Sequence, residues 1–71
     1  MNKKEFVEVY LKQLLLNTDR VEITDVHYDF VQNEEYVTIT YKYGFPQCVN
    51  VTGDSDLYLV SDVINAIKKV Y

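Results

Sequence analysis

The sequence predicts an α+β domain in which a helix, three strands and a second helix follow in that order. Three observations predict it. Apolar residues recur at three- and four-residue steps near both ends of the chain, and at two-residue steps between them. Gly44, Pro46 and Gly53 fall between the apolar runs, where turns are needed. Each helix carries one apolar stripe and therefore needs one sheet face to cover it. The expected architecture is a three-stranded antiparallel meander with both helices packed on one face. Residues 1–71 read as a single domain, with helices at about 3–17 and 55–70 and strands at about 21–31, 35–43 and 46–52.

Asn2 and Glu5 have the spacing of a helix-capping pair. Val7, Tyr10, Leu11, Leu14 and Leu15 then form one helical face, which Phe6 and Val9 widen. Asn17 should end the helix, since asparagine tolerates the left-handed conformation common there. Val21 and Ile23 share one parity, while Val26, Tyr28 and Phe30 share the other, so a β-bulge is expected near Thr24 and Asp25. Glu35, Val37, Ile39, Tyr41 and Tyr43 alternate with Tyr36, Thr38, Thr40 and Lys42. Matching core face to core face pairs Tyr28 with Val37 and Val26 with Ile39, around a tight turn at Gln32-Asn33. Gly44 permits the second turn, and Val49 and Val51 continue the core face. Leu57, Val60, Val63, Ile64, Ile67, Val70 and Tyr71 have helical spacing, with Lys68 and Lys69 suited to the negative end of the dipole.

A chain of 71 residues buries only about 60% of its unfolded surface, so its core is small. Cys48 is the single cysteine, which excludes an internal disulfide and a multi-thiolate zinc site. No apolar run approaches the ~20 residues of a membrane span, and acids interrupt the N-terminal apolar stretch, so neither a membrane nor a signal peptide is expected. The expected location is cytoplasmic. Net charge is −4, but between Asp19 and Asp62 nine acids face two bases, a net −7. Such a segment repels phosphate backbones and attracts basic partners.

The stretch Thr52-Gly53-Asp54-Ser55-Asp56 looks most like a motif. A family of serine hydrolases carries a Gly-Asp-Ser-Leu block after a strand. Here Asp56 replaces the leucine, and no histidine follows Ser55 to take its proton. A calcium loop lacks its late glutamate, and a phosphate loop lacks lysine and further glycines. A strand end and a helix cap explain all five residues: Gly53 turns, Asp54 or Ser55 caps, and Asp56 favours the positive dipole end. Asp25, His27 and Asp29 share one strand face at two-residue steps, but one imidazole and two flexible carboxylates make a weak metal site. No catalytic set, metal or cofactor is expected.

The element order resembles that of the double-stranded RNA-binding domain. That family enters its second helix through lysines that grip phosphates, whereas this chain has "GDSDLYL" there. The resemblance implies the topology with inverted charge. The segment "VNVTGDSDLYLVSDVINAI" also resembles the C-terminal part of small phage and prophage accessory proteins, covering about a quarter of the chain. That likeness implies a binding protein of a mobile element, of the kind that includes anti-CRISPR proteins.

The function expected is therefore that of a small acidic non-enzymatic interaction protein, an inhibitor of a host nucleic-acid or defence enzyme whose acids stand in for phosphates. Its partner would be a basic or nucleic-acid-binding protein. The candidate partner-binding residues are Asp25, Asp29, Glu34, Glu35, Tyr36, Asp54 and Asp56. The alternatives are a homo-oligomerising module, a homodimer for example, and a nucleic-acid-binding domain with direct contacts to phosphate disfavoured by the charge.

Overall fold

The computed structural model describes residues 2–17 and 22–70. The order is an N-terminal helical run, three antiparallel strands and a C-terminal helix. The run comprises Lys3–Glu5, Phe6–Leu11 and Lys12–Leu16. The strands are β1 Ile23–Val31, β2 Glu34–Tyr41 and β3 Gln47–Asn50, hydrogen-bonded in that order. The C-terminal helix is Asp56–Val70. The Cα framework is 16 Å in its shortest dimension, which admits two layers. The expected strand residue Val21 and the helix residue Tyr71 lie outside the described residues.

The hairpin has the register that face-matching requires, with Tyr28 opposite Val37 and Val26 opposite Ile39. Gln32 and Asn33 take positive φ values of 52° and 64°, the conformation of the tight turn that matches strand twist. The register shifts between Ile23 and Asp25, so Thr24 is the extra residue of a bulge. The bulge is what lets Ile23 and Val26, which differ in parity, both reach the core. Gly44 and Gly53 also have positive φ, each at its turn.

The core is one cluster from both helices and one sheet face. It includes Val7, Leu11 and Leu15 of the first helix, Leu59, Val63 and Ile67 of the second, and Val37, Ile39 and Val51 of the sheet. Both helices therefore pack on the same face, and among the described residues no helix packs on the other.

Two helical stripes differ from the sequence expectation. Tyr10 and Leu14 are 52% and 60% exposed, although their spacing places them on the core face. Leu57, at 76%, and Val70 are likewise exposed, while Leu59 is fully buried. Each helix buries residues four apart, not the wider three-and-four stripe. The reason is sheet width. Three strands span only about 10 Å between outer axes, and two helices need 8–10 Å between their own. Each helix therefore sits near an outer strand and contacts the sheet along one narrow line. In a 3.6-residue helix a four-residue step drifts by about 40°. Over Phe6–Leu11 the first helix widens into a π-helical turn, with the Lys12 N–H reaching Val7 O, and this holds the Val7–Leu11–Leu15 line straight.

Helix ends follow the expected chemistry with one change. Asn2 Oδ1 accepts from Glu5 N at 2.7 Å, and Ser55 Oγ accepts from Tyr58 N at 3.4 Å. Asn17 closes the first helix with φ −93°, not left-handed, and its side chain donates to Gln13 O at 2.8 Å. That bond satisfies a terminal carbonyl without the backbone reversal.

Candidate functional site

The uncovered sheet face is a grid set by the strand registers. Asp29, Tyr36 and Asn50 form one row, His27, Thr38 and Cys48 the next, and Asp25 and Thr40 a third. Glu34 lies on the same face and accepts a hydrogen bond from the Tyr36 hydroxyl. That carboxylate pushes the Tyr36 phenol above its ordinary pKa. Of the candidate partner-binding residues, Asp25, Asp29, Glu34 and Tyr36 therefore share this face.

The first helix reaches the β1 side of the grid. Lys12 Nζ is 2.9 Å from Asp25 Oδ1 and lowers the Asp25 pKa through that hydrogen bond. Glu8 Oε2 lies 2.7 Å from His27 Nδ1, and Asp29 Oδ1 lies 3.1 Å from His27 Nε2. The same Glu8 oxygen accepts the Tyr28 backbone N–H at 3.0 Å. Tyr28 turns that N–H away from β2, so Glu8 occupies the outer edge of β1 where another strand would pair. Asp25 is thus paired with Lys12, and His27 with both Glu8 and Asp29. Among the described residues no group of three or more His, Cys, Asp and Glu side chains is placed to hold a metal ion.

Glu35 and Asp54 lie elsewhere, on the helix side at the hairpin end. Glu35 shares parity with Val37 and Ile39, so its side chain enters the helix layer. There it meets Lys3 Nζ at 2.8 Å, the Tyr28 hydroxyl at 2.7 Å and Gly53 N at 3.2 Å. Lys3 first, and Tyr28 second, hold the Glu35 carboxyl down at about 2. Burial and the Glu35 charge push the Tyr28 phenol up to about 12. Thr52 Oγ1 accepts from Glu35 N at 2.9 Å, which carries the β2–β3 pairing one step past the end of β3. The neighbouring Asp62 carboxyl raises the Asp54 pKa. Asp54 Oδ2 is sequestered without a partner. Asp56 stands apart in the exposed first turn of the C-terminal helix.

The candidate acids therefore form two groups. The open face presents carboxylates, hydroxyls and an imidazole to solvent, which suits acceptance of hydrogen bonds from basic side chains. The hairpin-end group is internally bonded and ties the first helix, β2 and the β3–helix turn together. Its members Lys3, Tyr28 and Asp62 carry no local sequence signature. The core-face parity of Glu35 was the one signal that could have found it. Ser55 serves as the helix cap, and the Gly-Asp-Ser stretch performs the turn and cap expected of it.

No protein-family model matches the chain, and no curated protein or solved structure matches it. Among the described residues no helix is long and apolar enough to cross a membrane.

Proposed function

We propose that the chain is a non-enzymatic interaction protein that docks a basic surface on the open face of its sheet. The observation that carries this reading is the grouping of Asp29, Glu34 and Tyr36 at one end of a face that no helix covers. A planar array of acceptors with an aromatic ring beside it suits arginine, which pairs with carboxylates and stacks on rings. In this reading the chain inhibits a nucleic-acid or defence enzyme by occupying its phosphate-binding groove. The mobile-element origin implied by the sequence resemblance belongs to the same proposal.

The test compares the wild type with a D25N/D29N/E34Q variant as bait for purified nucleic-acid enzymes with basic grooves. The reading predicts binding that is lost above about 0.5 M salt and lost in the variant, since exposed charges are screened there. Equal capture by both baits, or capture indifferent to salt, would contradict it. Direct titration with duplex RNA at low salt is expected to be flat, because the net charge is −4.

A further inference from the structure

The two outer strands treat their edges differently. The edge of β1 is occupied by Glu8, whose carboxylate takes the Tyr28 N–H. The edge of β3 is open. Val51 N donates to Glu35 O at 2.9 Å, so Val51, and by alternation Val49 and Gln47, turn their backbone groups toward β2. Cys48 and Asn50 therefore turn their N–H and C=O groups outward, and both residues are exposed. Among the described residues no backbone group pairs with them. The strand carries neither the charge nor the proline that usually protects an edge.

The layer above the strand decides what can join it. Gln47 Nε2 donates to Ala66 O at 3.0 Å, so the C-terminal helix lies over β3. An incoming strand with its own helix on that face would set two helices about 5 Å apart, where packed helices need about 8–10 Å. That excludes β3 of a second copy. β1 of a second copy is closed at its edge by Glu8. A bare extended segment meets neither obstacle.

We infer that β3 takes an extended segment of a partner protein as a fourth, antiparallel strand, and that this segment alternates basic and apolar residues. The alternation follows from the two faces of the sheet. Segment residues opposite Cys48 and Asn50 exchange backbone hydrogen bonds with them and turn their side chains to the open face. There Asn50 shares its row with Tyr36 and Asp29, and Tyr36 is bonded to Glu34. A lysine or arginine in that position meets carboxylates and an aromatic ring. The segment residue between these two stands opposite Val49, on the helix side. Val49 is half-buried against the core. Val49 and its opposite number form a pair without mutual hydrogen bonds, the kind in which side chains lie closest. A valine or isoleucine there completes the burial of Val49, and a charge there would lose its hydration. The basic half of this pattern rests on the open-face reading above, and the strand pairing does not.

The probe is a seven-residue peptide of alternating arginine and valine, blocked at both ends, followed by NMR and amide hydrogen exchange at low salt. Two N-methylated versions accompany it. Methyls on the arginines remove the N–H groups that face β3, and methyls on the valines remove those that face away. The parent peptide should protect the Cys48 and Asn50 amides from exchange. Arginine methylation should weaken binding at least about fivefold, because it removes hydrogen bonds to the edge, and valine methylation less than about twofold. Cys48→Pro keeps the β2–β3 ladder, since the Cys48 N–H faces outward, and once shown folded by circular dichroism should also bind at least about fivefold more weakly. Absence of binding, binding without protection of the two amides, or equal weakening by both methylation patterns would overturn the inference. The last two results leave the open-face reading standing if binding is still lost in D25N/D29N/E34Q. The expected methylation pattern with undiminished binding to D25N/D29N/E34Q would overturn the basic half together with that reading, and not the pairing. Protection of the two amides that rises with protein concentration, without peptide, would assign the edge to a second copy and overturn the inference.

Discussion

Replacing Glu35 by glutamine keeps the length of the side chain and one acceptor oxygen but removes its charge. The structure sets the expected cost. Glu35 receives Lys3 at 2.8 Å, the Tyr28 hydroxyl at 2.7 Å and the Gly53 N–H at 3.2 Å. Holding its carboxyl at about 2, against an ordinary value of 4.5, corresponds to at most about 3 kcal/mol by linkage. The Lys3 and Glu35 side chains are 21% and 16% exposed, so solvent screening brings this to about 2 kcal/mol. For a domain of this size that lowers the melting temperature by roughly 8–16 °C. The sign with pH follows from the depressed value. The folded state binds fewer protons at Glu35 than the unfolded state does. The contribution is therefore complete above about pH 4.5 and is lost as pH falls toward about 2. Urea unfolding followed by circular dichroism, at pH 7 and in steps down to pH 3, measures both quantities. The wild type should lose stability steeply over the acid range, and the Glu35→Gln variant should lose correspondingly less. A variant within about 0.5 kcal/mol of wild type at pH 7, or one with the same acid slope, would refute the reasoning.

Asp62→Asn should stabilise the protein, and more at pH 7 than at pH 4. The Asp54 pKa is raised by Asp62, so the pair favours folding only while it holds a proton and loses that contribution as pH rises. Paired urea melts at the two pH values check the sign. Leu59→Ala should cost about 2–5 kcal/mol, enough to unfold much of so small a domain, whereas Leu57→Ala should cost less than about 0.5. Comparing their melts tests the buried line of the C-terminal helix. Asn33→Gly should stabilise the hairpin by about 0.5–1 kcal/mol, because glycine takes the positive φ of that turn without strain.

The sheet was the most legible part of the chain. Period-two alternation and core-face matching located the Tyr28–Val37 and Val26–Ile39 pairs, and the parity switch located the bulge. The helices were legible in position but not in rotation. Tyr10, Leu14 and Leu57 have core spacing, yet a narrow sheet leaves room for only one line of contacts per helix. Leu59 was missed because it sits beside apolar neighbours that fit the same period. The candidate site was half legible. Asp25, Asp29, Glu34 and Tyr36 share the open face, as strand parity requires. Glu35 and Asp54 came with them only as acids in the same stretch, and the cation that anchors Glu35 is thirty-two positions away at Lys3. The Glu8 contact that covers the β1 edge has no local signature either, since it depends on how the first helix crosses β1.

The central claim, that the open face receives basic side chains, is tested most directly by residue-resolved NMR during titration with an arginine-rich peptide. The account predicts shifts centred on Asp29, Glu34 and Tyr36, abolished by about 0.5 M salt and absent in the D25N/D29N/E34Q variant. No shifts at low salt, or shifts centred on the exposed sides of the helices, would contradict it.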